Sequence, residues 1–206
     1  IYEGAGRHLR LYQHLRRKHK KRHRLFGRKR RDSKGILYMT PLIYRSEEIQ
    51  EKQVFGHWES DSMIFRKQQQ ILSVQYERST QLVHFRRLAN KTADATEQAL
   101  RELIERGEQG PVHSLTFDRG TEGATHWKLR LEYGVDTFHC DAYSSWQKGG
   151  VENMNGLIRQ YLPLHTDLSL FTDHDLYVMT DPKHNMVFVG NPHIYKLLPY
   201  MPAFEN

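Results

Sequence analysis

Cysteine is almost missing: Cys140 stands alone among 206 residues. That excludes an internal disulfide framework and suits a reducing compartment. Beside it, His139 finds no second cysteine pair to complete a zinc site. No apolar run reaches the ~18 residues of a membrane span, so no transmembrane helix is expected, and the N-terminus has no signal-peptide pattern. The strand-turn-helix elbow that exposes a nucleophilic serine is absent as well. Acidic residues are scarce at one end only. From Ile1 to Gly35 just Glu3 and Asp32 oppose fourteen Lys and Arg, a balance of +12; with +7 over the whole chain, the remainder carries −5. The chain opens on Ile1 rather than Met, and a longer parent is expected.

The basic excess is concentrated in Arg16, Arg17, Lys18, Lys20, Lys21, Arg22 and Arg24, followed by Arg28 to Arg31. Such a run repels itself and buries little apolar area, so it is expected to be partly helical and otherwise mobile until it meets an anion. On a phosphate backbone it releases counterions, which gives salt-sensitive, sequence-blind affinity. A solvated tail or a nuclear-type address is the blander reading; the length of the run favours contact with DNA. His19 and His23 have helical metal-ligand spacing, but so much positive charge disfavours a cation there.

Residues 36–55 read as a linker, extended in its first half. After Gly56 the texture changes. His57–Phe65 reads as a strand, Gln70–Glu77 alternates with Leu72, Val74 and Tyr76 on one face, and Leu82–Leu88 places Val83 and Phe85 together. Short connections make these an antiparallel meander. Asn90–Gly107 reads as a helix, capped by Asn90 or Thr92, striped by Leu100, Leu103 and Ile104, and closed by Gly107. Ser114–Asp118 is a short strand, Thr125–Tyr133 a helix, Val135–Cys140 a strand, and Glu152–Tyr161 a helix. The order is β-β-β-α-β-α-β-α without internal repeat: a basic arm and linker over 1–52, then one α/β domain over 53–206.

Two aspartates stand where carboxylates are informative. Asp61 lies inside the first strand, a position that disfavours acids. Asp118 ends the fourth strand, where a side chain can project into a cleft. Glu152 follows Gly149-Gly150 at a helix start, where the dipole favours negative charge. Converging carboxylates repel unless cations join them. Mg²⁺ asks for this kind of site: hard oxygen ligands, few protein groups and open positions for water and phosphate. Two such ions roughly 3.5–4 Å apart serve both the attacking and the leaving oxygen at phosphorus. Asp61 is assigned as the bridge, Asp118 and Glu152 as holders of one ion each. Spacing alone leaves solvated strand-end and helix-cap acids as the ordinary alternative, since 24 acids offer many triplets.

Around these acids stand several recognisable words. His57-Trp58-Glu59-Ser60-Asp61 resembles the "GHWEGD" opening of the IS-thirty family of insertion-sequence transposases. Glu77 to Thr80 resembles its second-to-third strand turn, and Asn90 to Ala95 its "xKTADA" helix start. Thr116 to Glu122 is similar to "TFDNGxE", Cys140 to Gly149 to "DPYSPWQRG", and Glu152 to Pro163 to "ENxNGLIRQYLP". The 33 residues between Asp118 and Glu152 match the family spacing. The resemblance runs from about residue 36 to 170. It implies a ribonuclease-H-like integrase core with a mixed five-stranded sheet flanked by helices. It implies DNA strand cleavage and strand transfer at Asp61, Asp118 and Glu152 with two Mg²⁺ or Mn²⁺ ions. It also implies a preceding helix-turn-helix absent from this chain, a homo-oligomer on transposon-end and target DNA, no membrane, and a bacterial cytoplasm beside the nucleoid. Departures are Ser60 for Gly, Arg119 for Asn, Gly123 for an aromatic, Ala142 and Ser145 for two prolines, and a C-terminus, His184–Asn206, with only traces of "NNRPRKxLGxxTPxE".

Supporting roles follow from position. Lys148 is either a phosphate contact or a solvated loop lysine. Asn155 and Arg159 share the face of Glu152, Arg159 as a DNA-backbone contact or a surface charge. Trp146 and Tyr143 can stack on an unpaired base, though pinning the loop to the core is preferred. Glu59 shares the strand face of Asp61 and reads as its supporting neighbour before a fourth ligand; Trp58 faces the core. Two rivals stay open: a catalytically impaired DNA-binding protein derived from a transposase, which three surviving acids argue against, and a metal nuclease without strand transfer.

Overall fold

The computed structural model describes Arg10 and residues 36–107, 109–142 and 144–180. The basic residues from Arg16 to Arg24, Tyr143 and the segment from His184 to Asn206 lie outside the described residues. The chain divides into two compact units, Ile1–Asp32 and Ser33–Asn206.

The second unit is built on one sheet. Its strands are β1 (His57–Ile64), β2 (Ile71–Glu77), β3 (Val83–Leu88), β4 (Ser114–Phe117) and β5 (Asp136–His139), in the order β3-β2-β1-β4-β5. β1 to β3 form the expected antiparallel meander. β4 and β5 join it in parallel, because each is reached through a helical crossover. The helices are α1 (Glu47–Gln50), α2 (Ala93–Arg106), α3 (His126–Tyr133), α4 (Gly149–Tyr161) and α5 (Asp173–Thr180). The mixed five-stranded sheet with helices is the architecture that the family resemblance implies.

Strand alternation sorts the side chains into two cores. On one face Met63, Leu72, Val74, Tyr76 and Phe85 pack with Val151, Met154 and Ile158 of α4 and Leu176 of α5. On the other Trp58, Leu115 and Phe117 pack with Leu100 and Leu103 of α2 and Leu129 of α3. Trp58 is thus core, as its alternation predicts. β2, central in the meander, is buried along its entire length, consistent with a strand covered on both faces. α2 begins where the Thr92 hydroxyl accepts the Ala95 amide at 3.3 Å and ends at Gly107, φ 60°, a left-handed position that favours glycine.

Two sequence readings change. Residues 36–50 are not a free linker. Pro41 bridges in parallel to His139 on β5, and the Thr40 carbonyl accepts the His139 amide at 2.8 Å. His126 meets the Leu37 carbonyl at 2.8 Å, and the buried Arg45 guanidinium donates to the Thr116 hydroxyl. Polar groups of the sheet edge and core, invisible in the pattern of this segment, hold it down. Second, α4 starts at Gly149, three residues before Glu152, after a 3-10 turn at Ser145–Lys148. The sequence reading placed this helix over Glu152–Tyr161, after the glycine pair; Gly150 lies inside it because a Cβ would meet the Tyr76 ring at 2.3 Å and Glu59 Oε2 at 2.9 Å.

Candidate active site

Register decides where the aspartates meet. β1 and β4 pair in parallel as far as Glu59 opposite Thr116. Two residues further on each chain come Asp61 and Asp118, side by side beyond the last paired rung. Asp61 is held within β1 by its pairing to β2 opposite Val74. Asp118 lies just past β4; its Oδ1 accepts the Gly120 amide at 2.7 Å, which leaves Oδ2 free for a second partner.

Between the two carboxylates stands Lys148. Its Nζ lies 3.3 Å from Asp61 Oδ1 and 3.7 Å from Asp118 Oδ2, and donates to the Ser60 carbonyl at 3.0 Å. The residue is only 3% exposed. Burial alone pulls its pKa down; Asp61 and Asp118 more than offset this and raise it above the ordinary lysine value. The solvated loop lysine of the sequence reading is therefore excluded. The other oxygen of Asp61 accepts Asn155 Nδ2 at 2.7 Å, so α4 reaches the strand one turn after Glu152. Asn155 Oδ1 stays buried without a hydrogen-bond partner beside the carboxylates.

Glu59 is closed off from solvent. It is 1% exposed; Oε1 takes Arg78 Nη1 at 2.6 Å and Oε2 takes the Val151 amide at 3.0 Å. That second bond fixes the first turn of α4 directly before Glu152. Arg78 also donates to the Gln50 carbonyl at 3.1 Å. Sequence reasoning treated Arg78 as part of a turn and missed this role. The available signal was Glu59 itself, an acid in a strand core that demands a cation partner.

Glu152 is exposed in the first turn of α4. Among the described residues no three His, Cys, Asp or Glu side chains are grouped closely enough to hold a metal ion. Asp61 and Asp118 thus come together around Lys148, and Glu152 stays outside that pair. The two carboxylates nonetheless fit a hard cation, because they already share an ammonium.

Two supporting assignments are revised. Trp146 is 73% exposed, so it does not pin its loop to the core. The Arg159 guanidinium is spent within the fold: Nη2 donates to the Ile64 carbonyl at 2.6 Å, and its carbon lies 4.3 Å from the Phe65 ring centre. Behind the site His139, 2% exposed, stacks on Phe117 and meets His126 edge-on at 4.4 Å. Burial, then His126, push its pKa down to about 4. Burial raises Cys140 to about 11, which leaves an unreactive thiol.

Comparison with known proteins follows the sequence resemblance. The transposase InsI for insertion sequence element IS30C of Escherichia coli is 37% identical over 183 residues, 88% of this chain and 47% of the relative. The transposase for IS1086 of Cupriavidus metallidurans is 33% identical over 143 residues, 69% of this chain and 42% of that protein. The transposase for IS4351 of Bacteroides fragilis is 30% identical over 180 residues, covering 85% and 53%. The chain spans about half the length of the curated relatives it matches. Among solved structures, the catalytic core domain of BIV integrase is 21% identical, covering 70% of this chain and 95% of that one with a TM-score of 0.48. The HTLV-2 integrase catalytic core domain in complex with magnesium is 17% identical, covering 63% and 89% with a TM-score of 0.47. No protein-family model matches.

Proposed function

By its sequence the chain belongs with the IS-thirty family of insertion-sequence transposases, and from that premise we propose that it carries the core of a DDE transposase, with Asp61, Asp118 and Glu152 as its metal-holding carboxylates. The observation that carries this is the pair Asp61 and Asp118, set side by side by strand register and sharing one cation at 3.3 and 3.7 Å. Asp61, Asp118 and Glu152 would hold Mg²⁺ or Mn²⁺, two per site, which would supply Lewis acidity for displacement at phosphorus. The protein does the rest. Asn155 orients Asp61. Glu59 and Arg78 hold the first turn of α4, so that Glu152 moves only with its helix or by side-chain rotation. Exposed Trp146 offers a ring for an unstacked base beside the cut.

The reaction is hydrolytic nicking at a transposon end, then attack of the freed 3′-hydroxyl on target DNA. Both steps are in-line displacements at phosphorus. The basic arm over 1–35, with Arg16, Arg17, Lys18, Lys20, Lys21, Arg22 and Arg24, supplies sequence-blind phosphate contacts. Joining two ends needs at least two copies, so the working form is a homo-oligomer on DNA. Among the described residues no helix is long and apolar enough to cross a membrane.

The test is a nicking and strand-transfer assay with Mg²⁺, comparing the chain with Asp61→Ala, Asp118→Ala and Glu152→Ala. Each variant is expected to lose both activities. Undiminished cleavage in any one of them removes that residue from the site.

A further inference from the structure

Lys148 combines features that do not belong to a surface phosphate contact. Its ammonium is buried, it lies between the two carboxylates, and the acceptors around it belong to the Asp61 and Asp118 neighbourhood: Ser60 O at 3.0 Å, Asp61 Oδ1 at 3.3 Å and Asp118 Oδ2 at 3.7 Å. Two carboxylates side by side repel, and the repulsion grows as water is excluded. A tethered ammonium cancels it at no cost in translational freedom. It also occupies the ground that a divalent cation needs, because ammonium and metal would compete for the same oxygens, Asp61 Oδ1 and Asp118 Oδ2, and repel each other across a few ångströms.

Resting on the function proposed above, we propose that Lys148 is a resident counter-cation which holds Asp61 and Asp118 together before any metal arrives and must withdraw when metal binds. The fold allows that withdrawal. Lys148 is the last residue of the 3-10 turn at Ser145–Lys148, and α4 is anchored one turn later through Val151 to Glu59. The long side chain can therefore leave by rotating its own bonds while the helix stays in place. Once out, the ammonium stands at the rim of a cleft that receives phosphate, and it pairs there with the DNA backbone. Metal entry and DNA contact are linked in this scheme: each favours the withdrawn lysine, so each strengthens the other.

Exchange of this kind has a signature in binding without catalysis. Mn²⁺ affinity is measured by calorimetry on the full 206-residue chain without DNA, for the wild type, Lys148→Met, Lys148→Gln and Lys148→Arg. Circular dichroism reports that each variant is folded. Removing the competing charge in Lys148→Met or Lys148→Gln is expected to tighten Mn²⁺ binding by roughly tenfold. Lys148→Arg keeps a competing charge and is expected to bind Mn²⁺ weakly, as the wild type does. A short DNA duplex added to the wild type is expected to tighten Mn²⁺ binding, and to do so less in Lys148→Met. Unchanged or weaker Mn²⁺ binding in both neutral variants overturns the exchange. Asp61→Asn and Asp118→Asn separate the two readings. If they abolish Mn²⁺ binding while the neutral lysine variants change nothing, the exchange falls and the metal site stands. Mn²⁺ binding that survives both asparagine variants removes the site and the exchange together.

Discussion

The ion pair between Glu59 and Arg78 lies 2.6 Å apart with side chains 1% and 5% exposed, and its removal is the sharpest single perturbation available. Glu59→Ala strands the Arg78 charge in the interior, leaving it the Gln50 carbonyl, and orphans the Val151 amide at the start of α4. Breaking a buried pair by deleting one partner costs about 3–5 kcal/mol, most of it from the unpaired charge left behind. With a urea dependence of about 2 kcal/mol per molar, the unfolding midpoint drops by about 1.5–2.5 M. Arg78→Met alone is costly for the mirror reason, since it leaves Glu59 charged and buried. The informative variant is the double one, Glu59→Gln with Arg78→Met. Glutamine still accepts from the Val151 amide, and neither side now carries a charge. The double variant is expected to recover at least half of the loss seen in either single one. Urea unfolding followed by tryptophan fluorescence measures the wild type, Glu59→Gln, Arg78→Met and their double variant, the four corners of one cycle, with Glu59→Ala beside them. Strictly additive losses, or single losses below about 1 kcal/mol, refute the reasoning; they would mean that water reaches the pair and that Glu59 does not hold the helix bearing Glu152.

Gly150→Ala places a methyl 2.3 Å from the Tyr76 ring and is expected to cost about 1–3 kcal/mol by urea unfolding, while adding Tyr76→Leu relieves part of it; an unaffected single variant refutes the close packing of α4 on β2. Trp146→Ala is expected to leave stability within about 0.5 kcal/mol because the side chain is 73% exposed. The same change is expected to weaken single-stranded DNA binding by about 1–3 kcal/mol in fluorescence anisotropy, and equal affinities discard the stacking role. His139, with its pKa pushed from 6.5 down to about 4, folds as the neutral ring. The unfolded chain takes up its proton first, so stability is intact above pH 6.5 and falls as pH drops toward 4, by at most about 3 kcal/mol from this group. His139→Phe is expected to flatten that part of the stability curve relative to wild type, and parallel curves count against the assignment.

The strands and helices were legible because each carries a period of its own kind: alternation in Ile71–Glu77, a three-to-four spacing in Ala93–Arg106. The β4 and β5 strands were legible as short apolar runs bounded by polar turns. The start of α4 was not, because Gly149-Gly150 reads locally as a helix breaker. Only the approach of Tyr76 and Glu59, distant in sequence, explains Gly150. The same holds at the site. Asp61 and Asp118 stood out as acids at a strand interior and a strand end. That Lys148 would lie between them depended on register and on the 3-10 turn before α4, neither of which has a one-dimensional signature. Trp146 was misread toward the core because large aromatics in loops are usually buried; its exposure follows from the path of that turn.

Thr40 and Pro41 close the outer side of β5, and this bears on how the core behaves as an isolated piece. β5 is the last strand of the sheet on that side, and a bare edge strand offers unpaired amides and carbonyls to any passing chain. The bridge from Pro41 and the bond from His139 to Thr40 occupy part of that edge. Proline is well chosen for the post, since it brings no amide of its own to be satisfied outward. A recombinant fragment cut at residue 53 would carry both acids and Lys148 yet present a naked β5, and would self-associate through it. One begun at residue 36 keeps the edge shielded, which makes the short stretch before the first strand a guard against sheet-to-sheet aggregation.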